Sequence, residues 1–453
     1  MNTNFKDSGI AWIGQIPKHW EVKKIKYCLK ENFSGCWGDD LENEQISHNS
    51  RLCIRVADFD FDKQKIKQTA DTFRNYTKSQ ILSTKLQDGD LIIEKSGGGD
   101  KMPVGRSVVF EQNLFGAKEV LFANFCQCFR PLNINNKFFA HTMKAFYQNN
   151  NMRFFFNQTT GIQNLSIFNI LNAFLPYPPL NEQKKIAEFL DKKCEIIDKR
   201  LENLEQKIKS LKEYKKSLIS ECVTKGINSK NMEFKDSRIP WIGQIPKHWE
   251  ISKIKYYFNF SSGLNITKEN LIESGIPVIS YGQIHSKENT GTFIKDSFFR
   301  FISQDYLKNK KSLVNKGNFI FADTSEDLDG AGNSVFVDLD LIMFAGYHTI
   351  ILKNKCNFEF SKFLSYLFQT DLWRSQIRLA VSGVKVFSIT KKILANCEIL
   401  VPPLNEQKKI AEFLDKKCEK IDRLNENYTK QIATLKEYKK SLIYECVTGK
   451  KEI

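Results

Sequence analysis

One stretch of this chain occurs twice. Residues 178–195 read Pro-Pro-Leu-Asn-Glu-Gln-Lys-Lys-Ile-Ala-Glu-Phe-Leu-Asp-Lys-Lys-Cys-Glu, and residues 402–419 repeat it letter for letter. A helical tail follows each copy and ends alike, as Leu211-Lys-Glu-Tyr-Lys-Lys-Ser-Leu-Ile219 and Leu435-Lys-Glu-Tyr-Lys-Lys-Ser-Leu-Ile443. A further block, Ile13-Gly-Gln-Ile-Pro-Lys-His-Trp-Glu21, precedes the first half and recurs at 242–250. The residues framed by these blocks barely match. Any fold for this chain must therefore hold two like frames around two unlike fillings.

The frame itself reads as helix. The Pro pair stops whatever precedes it, and apolar residues then recur at Leu190, Cys194, Ile197, Leu201, Leu204, Ile208, Leu211, Leu218 and Cys222. Steps of three and four make this a heptad seam with one lysine, Lys215, at a seam position. A helix from Asn181 to about Val223 is roughly 60 Å long at 1.5 Å per residue. The second copy keeps the register at Leu414, Cys418, Ile421, Asn425, Tyr428, Ile432, Leu435, Leu442 and Cys446, with Asn425 and Tyr428 in place of two leucines. A polar seam residue costs stability and fixes register. Neither stripe is buried by its own helix, so the two helices are expected to pack on each other as an antiparallel pair.

The framed segments read as α/β and rich in short strands. Residues 52–59, 90–93 and 107–110 are strand-like, 138–156 have helical spacing, and a glycine-rich loop spans 95–105. The second segment follows the first weakly but in order. Residues 278–284 fall where 54–59 fell, 317–321 match 89–93, 332–335 match 105–108, and 383–388 match 161–166. Glycines and strand hydrophobics survive, whereas the loop contents differ: Lys95-Ser-Gly-Gly-Gly-Asp stands against Asp323-Thr-Ser-Glu-Asp-Leu. Two readers of two different targets on one scaffold would look like this. The lead before each segment, with Trp12, Ile13, Ile16 and Trp20 around Pro17, is expected to dock on its domain rather than to contact a ligand through His19 or Trp20.

Bulk properties narrow the partner. A chain of 453 residues with 41% hydrophobic residues, 12% aromatic residues and 36 Phe supports two or more globular cores. The net charge of +16 suits nucleic acid first and an anionic membrane surface second. The first residues have no apolar signal core, and no run approaches the ~18 apolar residues of a membrane span. The 11 Cys are odd in number and scattered, which fits free thiols in a cytoplasmic protein. Cys126-Gln-Cys128 lacks the second pair that a zinc site needs.

Catalytic signatures are absent. There is no Gly-x-x-x-x-Gly-Lys-Ser/Thr loop for ATP and no His-Glu-x-x-His. The Asn/Asp-Pro-Pro-Tyr/Phe pair of an amino-methyltransferase is missing too. Glu213-Tyr-Lys215 with Asp198 upstream imitates a nuclease metal set. It lies in a helix, though, and Glu437-Tyr-Lys439 repeats it in the other frame.

Taken together, the doubled motifs Trp12-Ile-Gly-Gln-Ile-Pro-Lys-His-Trp20 with its repeat at 241–249, and the 178–191 block with its repeat at 402–415, resemble the DNA specificity subunits of type I restriction–modification systems. The likeness spans essentially the whole chain. It implies an α/β (α+β) architecture with two target-recognition domains, two long helices packed as an antiparallel coiled coil, and an internal pseudo-twofold repeat. The expected division is a lead at 1–21, recognition domain 1 at 22–177, spacer helix 1 at 178–226, a connector at 227–250, recognition domain 2 at 251–401 and spacer helix 2 at 402–449. The resemblance further implies a non-catalytic adaptor for double-stranded DNA that joins two methyltransferase subunits and two restriction/translocase subunits. S-adenosylmethionine, ATP and Mg would sit on those partners, with no cofactor or metal on this chain. Loop tips between equivalent strands are the expected DNA contacts: Arg55, Lys95, Ser96, Lys101, Arg106, Gln163 and Asn164 in the first domain, and Tyr281, Gln283, His285, Thr324, Ser325, Asn333 and Lys385 in the second. Arg and Lys suit guanine or phosphate, and Gln and Asn suit adenine.

Overall fold

A computed structural model describes residues 5–41, 45–159, 161–228, 232–355, 357–383 and 385–453. The start of the lead, residues 229–231 of the connector, Thr160 just before the 161–166 motif, Val384 of the 383–388 motif and Cys356 lie outside the described residues. The chain forms two compact units, one of residues 1–205 with 429–453 and the other of 206–428. Both long helices contribute to both units. Among the described residues no helix is long and apolar enough to cross a membrane.

The first unit opens on its lead. A small hairpin, Phe5–Asp7 with Gln15–Pro17, carries Ile13, Ile16 and Trp20 into the core. The strand Glu21–Lys24 then pairs antiparallel with Phe174–Tyr177, just before the Pro pair. A six-stranded sheet follows in the order Leu29–Ser34, Cys126–Pro131, Leu91–Glu94, Ser107–Val109, Lys65–Ile66, Phe59–Asp60. Its central strands are buried on both faces, as their unbroken apolar runs require. Beside it, Ser50–Ile54 pairs parallel with Val120–Phe122 and antiparallel with Phe73–Asn75. The helical spacing of residues 138–156 overshoots. The helix is Asn136–Gln148, capped by the Asn135 side chain, and Phe156 already belongs to a strand. Asn150, left-handed at φ 61°, breaks the run, a conformation that Asn tolerates better than most residues.

The second unit repeats this order with its own residues. Phe234–Asp236 pairs with Gln244–Pro246, and Glu250–Lys253 with Glu398–Val401. One four-stranded sheet runs Phe258–Ser262, Thr349–Asn354, Phe319–Ala322, Ser334–Phe336. A second runs Arg300–Ile302, Ile276–Ile279, Met343–Ala345, Leu313–Val314. The core is a packed aromatic set, with Phe368 and Trp373 at 4.2 Å between centroids and Phe319 within 5.1 Å of both Phe336 and Phe368.

The lead is clasped to the long helix by the same side chains in each unit. Glu182, in the first turn, accepts from Trp20 Nε1 at 2.9 Å and meets His19 Nε2 at 2.8 Å. Glu406 accepts from Trp249 Nε1 at 3.0 Å and meets His248 Nε2 at 2.7 Å. The repeated His-Trp pair is therefore a structural lock onto a helix N-terminus, where a carboxylate is also favoured by the helix dipole.

The long helices are Leu180–Lys225 and Leu404–Val447, of 46 and 44 residues. Within the first unit, Asp198 meets Lys439 and Cys194 faces Cys446, so the helices run antiparallel. Within the second, Lys207 lies over Tyr428, Lys215 meets Asp422 and Cys222 faces Cys418, again antiparallel. Leu190, Ile197, Leu201, Leu204, Leu414, Ile421 and Leu442 are buried at this seam. Ile208, Leu211, Leu218, Asn425, Tyr428, Ile432 and Leu435 are half-buried. The seam is wider than the heptad stripe alone: Ile219, Val223, Ile443 and Val447 are also buried.

Lysine interrupts each stripe for a reason. Lys439 Nζ lies 2.6 and 2.8 Å from the two carboxylate oxygens of Asp198, and Lys215 Nζ lies 2.7 Å from both oxygens of Asp422. The nuclease-like grouping of Asp198 with Glu213 and Lys215 is thereby dissolved, because Asp198 and Lys215 each have another partner.

Lys144 is 2% exposed and donates to the Asp62 carbonyl at 2.5 Å, the same oxygen that Lys439 reaches at 3.0 Å. Desolvation first, and the Lys439 charge second, bring its pKa down to about 8. The folded state therefore disfavours the charged amine, and the cost is in force below pH 8. It is relieved as pH rises from 8 toward the ordinary lysine value of about 10.4. The expected outcome is that the first unit gains stability over that window and that Lys144→Met removes the gain. Amide exchange of residues 136–148, compared at pH 8 and pH 10, measures it.

Candidate nucleic-acid interface

The places where the two fillings differ most are two small sheets that project from equivalent central strands. In the first unit, Leu91–Glu94 continues into Ser96–Gly97, which pairs with Ile162–Leu165, itself paired with Phe156–Thr159. Lys95 at the junction is clamped by its backbone: its N–H donates to Phe125 O at 2.9 Å and its carbonyl accepts from Leu165 N at 2.8 Å. Its side chain donates to Ser34 Oγ, and partial burial lowers its pKa. Ser96 Oγ donates to Asn164 Oδ1 at 2.7 Å across the pair.

Two of the expected contacts are committed inside the protein. Arg106 forks onto Glu94, with Nε to Oε2 at 2.8 Å and Nη2 to Oε1 at 2.9 Å. The Glu94 side chain is 2% exposed, and hydrogen bonding to it raises the guanidinium pKa. Gln163 is 2% exposed and accepts from Val104 N at 3.1 Å. Gly105 holds the returning loop close: it has φ 103°, and a Cβ there would lie 2.7 Å from Met152 Sδ. Lys95, Ser96, Arg106, Gln163 and Asn164 are thus brought together, with Lys101 exposed on the connecting loop. Arg55 stands apart on the turn after Ser50–Ile54, where Asp58 accepts from its backbone N–H at 2.8 Å and from its guanidinium at 3.3 Å.

In the second unit, Phe319–Ala322 continues into Thr324–Ser325, which pairs with Phe387–Ser388. A relay fixes the root of this tip. Half-buried Arg374 donates from Nη1 to Asn333 Oδ1 at 2.6 Å, which aims the Asn333 amide at His285 Nδ1, 3.2 Å away. His285 Nε2 then donates to Thr324 O at 2.8 Å. Among the described residues the acceptors of Arg374 are neutral, Phe368 O and Gln369 Oε1 being the others, and desolvation lowers its pKa to about 10. Gln283 is spent on a cap, accepting from Ser280 N at 3.0 Å, and buried Ser325 bonds Asp327 O at 2.7 Å. Tyr281 packs edge-on against Tyr347 and His348, with centroids 5.4 and 5.6 Å apart. Lys385 is exposed just before the outer strand.

Sequence reasoning missed several members of these sites. Phe125 and Ile162 expose 57% and 53% of their surfaces at the first tip. Arg374, Tyr347 and His348 belong to the second, beside Asp323, which the sequence marks only as the start of an acidic run, 323–329, suited to cytosine contacts or to solvent. The register of strand pairs, absent from local sequence, is what brings them in. Cys126 and Cys128 point into the core, where burial raises both thiols. Among the described residues, no three His, Cys, Asp or Glu side chains group as a metal site would need.

Comparison with known proteins agrees with this architecture. A family model described as the type I restriction modification DNA specificity domain matches residues 59–213 and again 246–434. The type I restriction enzyme MjaVIII specificity subunit of Methanocaldococcus jannaschii is 27% identical over 296 residues, which is 64% of this chain and just under two thirds, 65%, of that relative. The putative MjaX specificity subunit of the same organism is 25% identical over 99% of this chain and 96% of its own length. The fold is like that of a chain from a structure titled for complex assembly and conformational transition of the type I R-M system. That match has TM-score 0.68 and 14% identity, and covers 95% of this chain and 98% of the other. It is also like the HsdS subunit from Thermoanaerobacter tengcongensis, with TM-score 0.52, 14% identity and coverage of 96% and 98%. Two matched domains, each carried on the duplicated frame, place this chain in the type I restriction–modification DNA specificity family.

Proposed function

We propose that this chain directs methyltransferase and restriction partners to an asymmetric, two-part DNA site. Each unit reads one half-site through its projecting tip, and the paired helices set the gap between halves. The observation that carries this reading is the contrast between two clasped frames built from identical residues and two tips of different chemistry. Lys95, Lys101, Ser96 and Asn164 offer donors and an amide to base edges and phosphates in the first unit. Thr324, Lys385 and the Tyr281 cluster offer a different set in the second. Base edges in the major groove distinguish all four pairs, whereas phosphate contacts fix register and supply salt-dependent affinity to a chain of net charge +16.

In this reading the chain is an adaptor without chemistry of its own. Two methyltransferase subunits bring S-adenosylmethionine, and two restriction subunits bring ATP and Mg. A map of adenine methylation in the host, with and without this gene, tests it. A split, asymmetric motif that vanishes on deletion supports the reading. Methylation unchanged while the methyltransferase partner is demonstrably present in a pull-down removes it.

The spacing claim has its own test. Helix rises about 1.5 Å per residue, so four residues inserted after Ser210, with four after Glu426 on the facing stretch of the antiparallel partner to keep the pair in register, add roughly 6 Å. The recognised gap is expected to grow by about two base pairs at ~3.4 Å each, with both half-site sequences unchanged. Altered half-sites with an unaltered gap would discard the helical ruler.

A further inference from the structure

We propose that Asp323 is a specificity-determining residue of the second unit, its carboxylate accepting a hydrogen bond from the exocyclic amino group of a cytosine or an adenine in the major groove. The assignment rests on the DNA-reading role proposed above and adds the chemistry of one contact.

Backbone register makes Asp323 the counterpart of Lys95. Lys95 N donates to Phe125 O and Lys95 O accepts from Leu165 N; Asp323 N donates to His348 O at 3.1 Å and Asp323 O accepts from Ile389 N at 2.7 Å. Each residue ends a buried central strand, and the next residue opens the projecting pair, as Ser96 with Asn164 and as Thr324 with Ser388. The same address therefore carries a cation in one unit and an anion in the other.

A carboxylate at such an address is repelled by phosphates and gains nothing from base acceptors. The major groove offers it only two kinds of amino donor, cytosine N4 and adenine N6. Lys95 suits the opposite set, guanine O6 and N7 or a phosphate oxygen.

The carboxylate is also held in place. Its Oδ1 lies 3.2 Å from His348 Nδ1, and the Asp323 side chain is 34% exposed. Among the described residues its Oδ2 has no hydrogen-bond partner. His348 sits at φ 53°, a left-handed conformation that is uncommon for a non-glycine residue, and packs edge-on against Tyr281 and Tyr347. The Arg374–Asn333–His285 relay secures the next residue, Thr324. Aim and rigidity are what a single acceptor needs to discriminate between bases.

The test uses the full chain assembled with its methyltransferase partner, on a library randomised across both half-sites. Wild type is compared with Asp323→Asn, which is isosteric, and Asp323→Ala, with folding checked by the melting curve. Asp323→Ala is expected to lose about tenfold or more of the preference at one position of the second half-site, each good base contact being worth roughly that, and Asp323→Asn, whose amide oxygen still accepts, loses less. The first half-site stays as it was. The base lost names the donor, cytosine or adenine. A wild-type split motif that both variants keep at every position overturns the assignment while leaving the adaptor reading intact. A wild-type complex with no sequence preference overturns both.

Discussion

Lys439→Ala destabilises the first unit by about 3 to 5 kcal/mol, whereas Lys215→Ala costs the second unit about 1 kcal/mol or less. The two lysines occupy the same place in the duplicated frame and face equivalent aspartates, so chemistry alone predicts equal effects. Burial separates them. The Lys439 and Asp198 side chains are 9% and 18% exposed, and Lys439 also satisfies the Asp62 carbonyl. Removing Lys439 leaves the Asp198 carboxylate with neither partner nor good access to water, while the Asp62 carbonyl keeps Lys144. Lys215 and Asp422 are 23% and 45% exposed, so water takes over when the pair is broken. A chain of two units does not melt as one two-state body, so the readout is amide exchange on peptides of each unit. Equal protection losses in the two variants would show that burial is not what sets the strength of these bridges.

Arg106→Ala is expected to cost the first unit about 3 to 5 kcal/mol as well, because Glu94 then keeps a buried charge without its bidentate partner. The effect reaches recognition. Glu94 directly precedes Lys95 and Ser96, so a displaced Glu94 disturbs the strand on which the first tip is built. Recognition of the first half-site should fall by more than tenfold while the preference at the second is kept, read from the same randomised library. Arg106→Lys does not restore it, since an ammonium lacks the planar fork that engages both carboxylate oxygens. A second half-site weakened in parallel would mean that the damage is global unfolding rather than a local tip.

The frame was legible in the sequence, and the tips were not. Heptad spacing from Leu190 to Leu218 located the long helix to within a few residues, because a periodic apolar stripe is a local signal. Even its interruption was readable: Lys215 stood out as a seam lysine, although only the packed helices name Asp422 as its partner. The exact repeat of His19-Trp20 at His248-Trp249 argued for a structural part, and the Glu182 and Glu406 clasps supply it. At the tips the signals were residue type and loop position. They selected Arg106 and Gln163, which hydrogen bonding inside the protein consumes, marked Asp323 only as part of an acidic run suited to cytosine or to solvent, and passed over His348 and Arg374. Asp323 meets His348 through strand register, and Arg374 reaches the tip through Asn333 from a helix some forty residues further along the chain. Nothing in a local window marks such neighbours. The helical spacing of 138–156 misled for a simpler reason, since a single left-handed Asn150 ends a pattern that hydrophobicity alone would continue.

The antiparallel seam has a consequence for a shortened gene. Its two halves present the same Asp–Lys pairs and most of the same seam residues, Leu201 and Leu204 standing where the second helix has Asn425 and Tyr428, so the surface that the first long helix offers to the second is also complementary to a copy of itself. A polypeptide ending near Gly226 carries one Asp198 and one Lys215. Two such polypeptides can close an isologous interface in which each lysine meets the other molecule's aspartate, Lys215 standing where Lys439 stands in the full chain. The object built that way is palindromic, with one tip chemistry presented twice. The present chain escapes that symmetry because its two fillings have drifted apart, and Asn425 and Tyr428 of the seam with them, while the Asp–Lys pairs that join the helices have not.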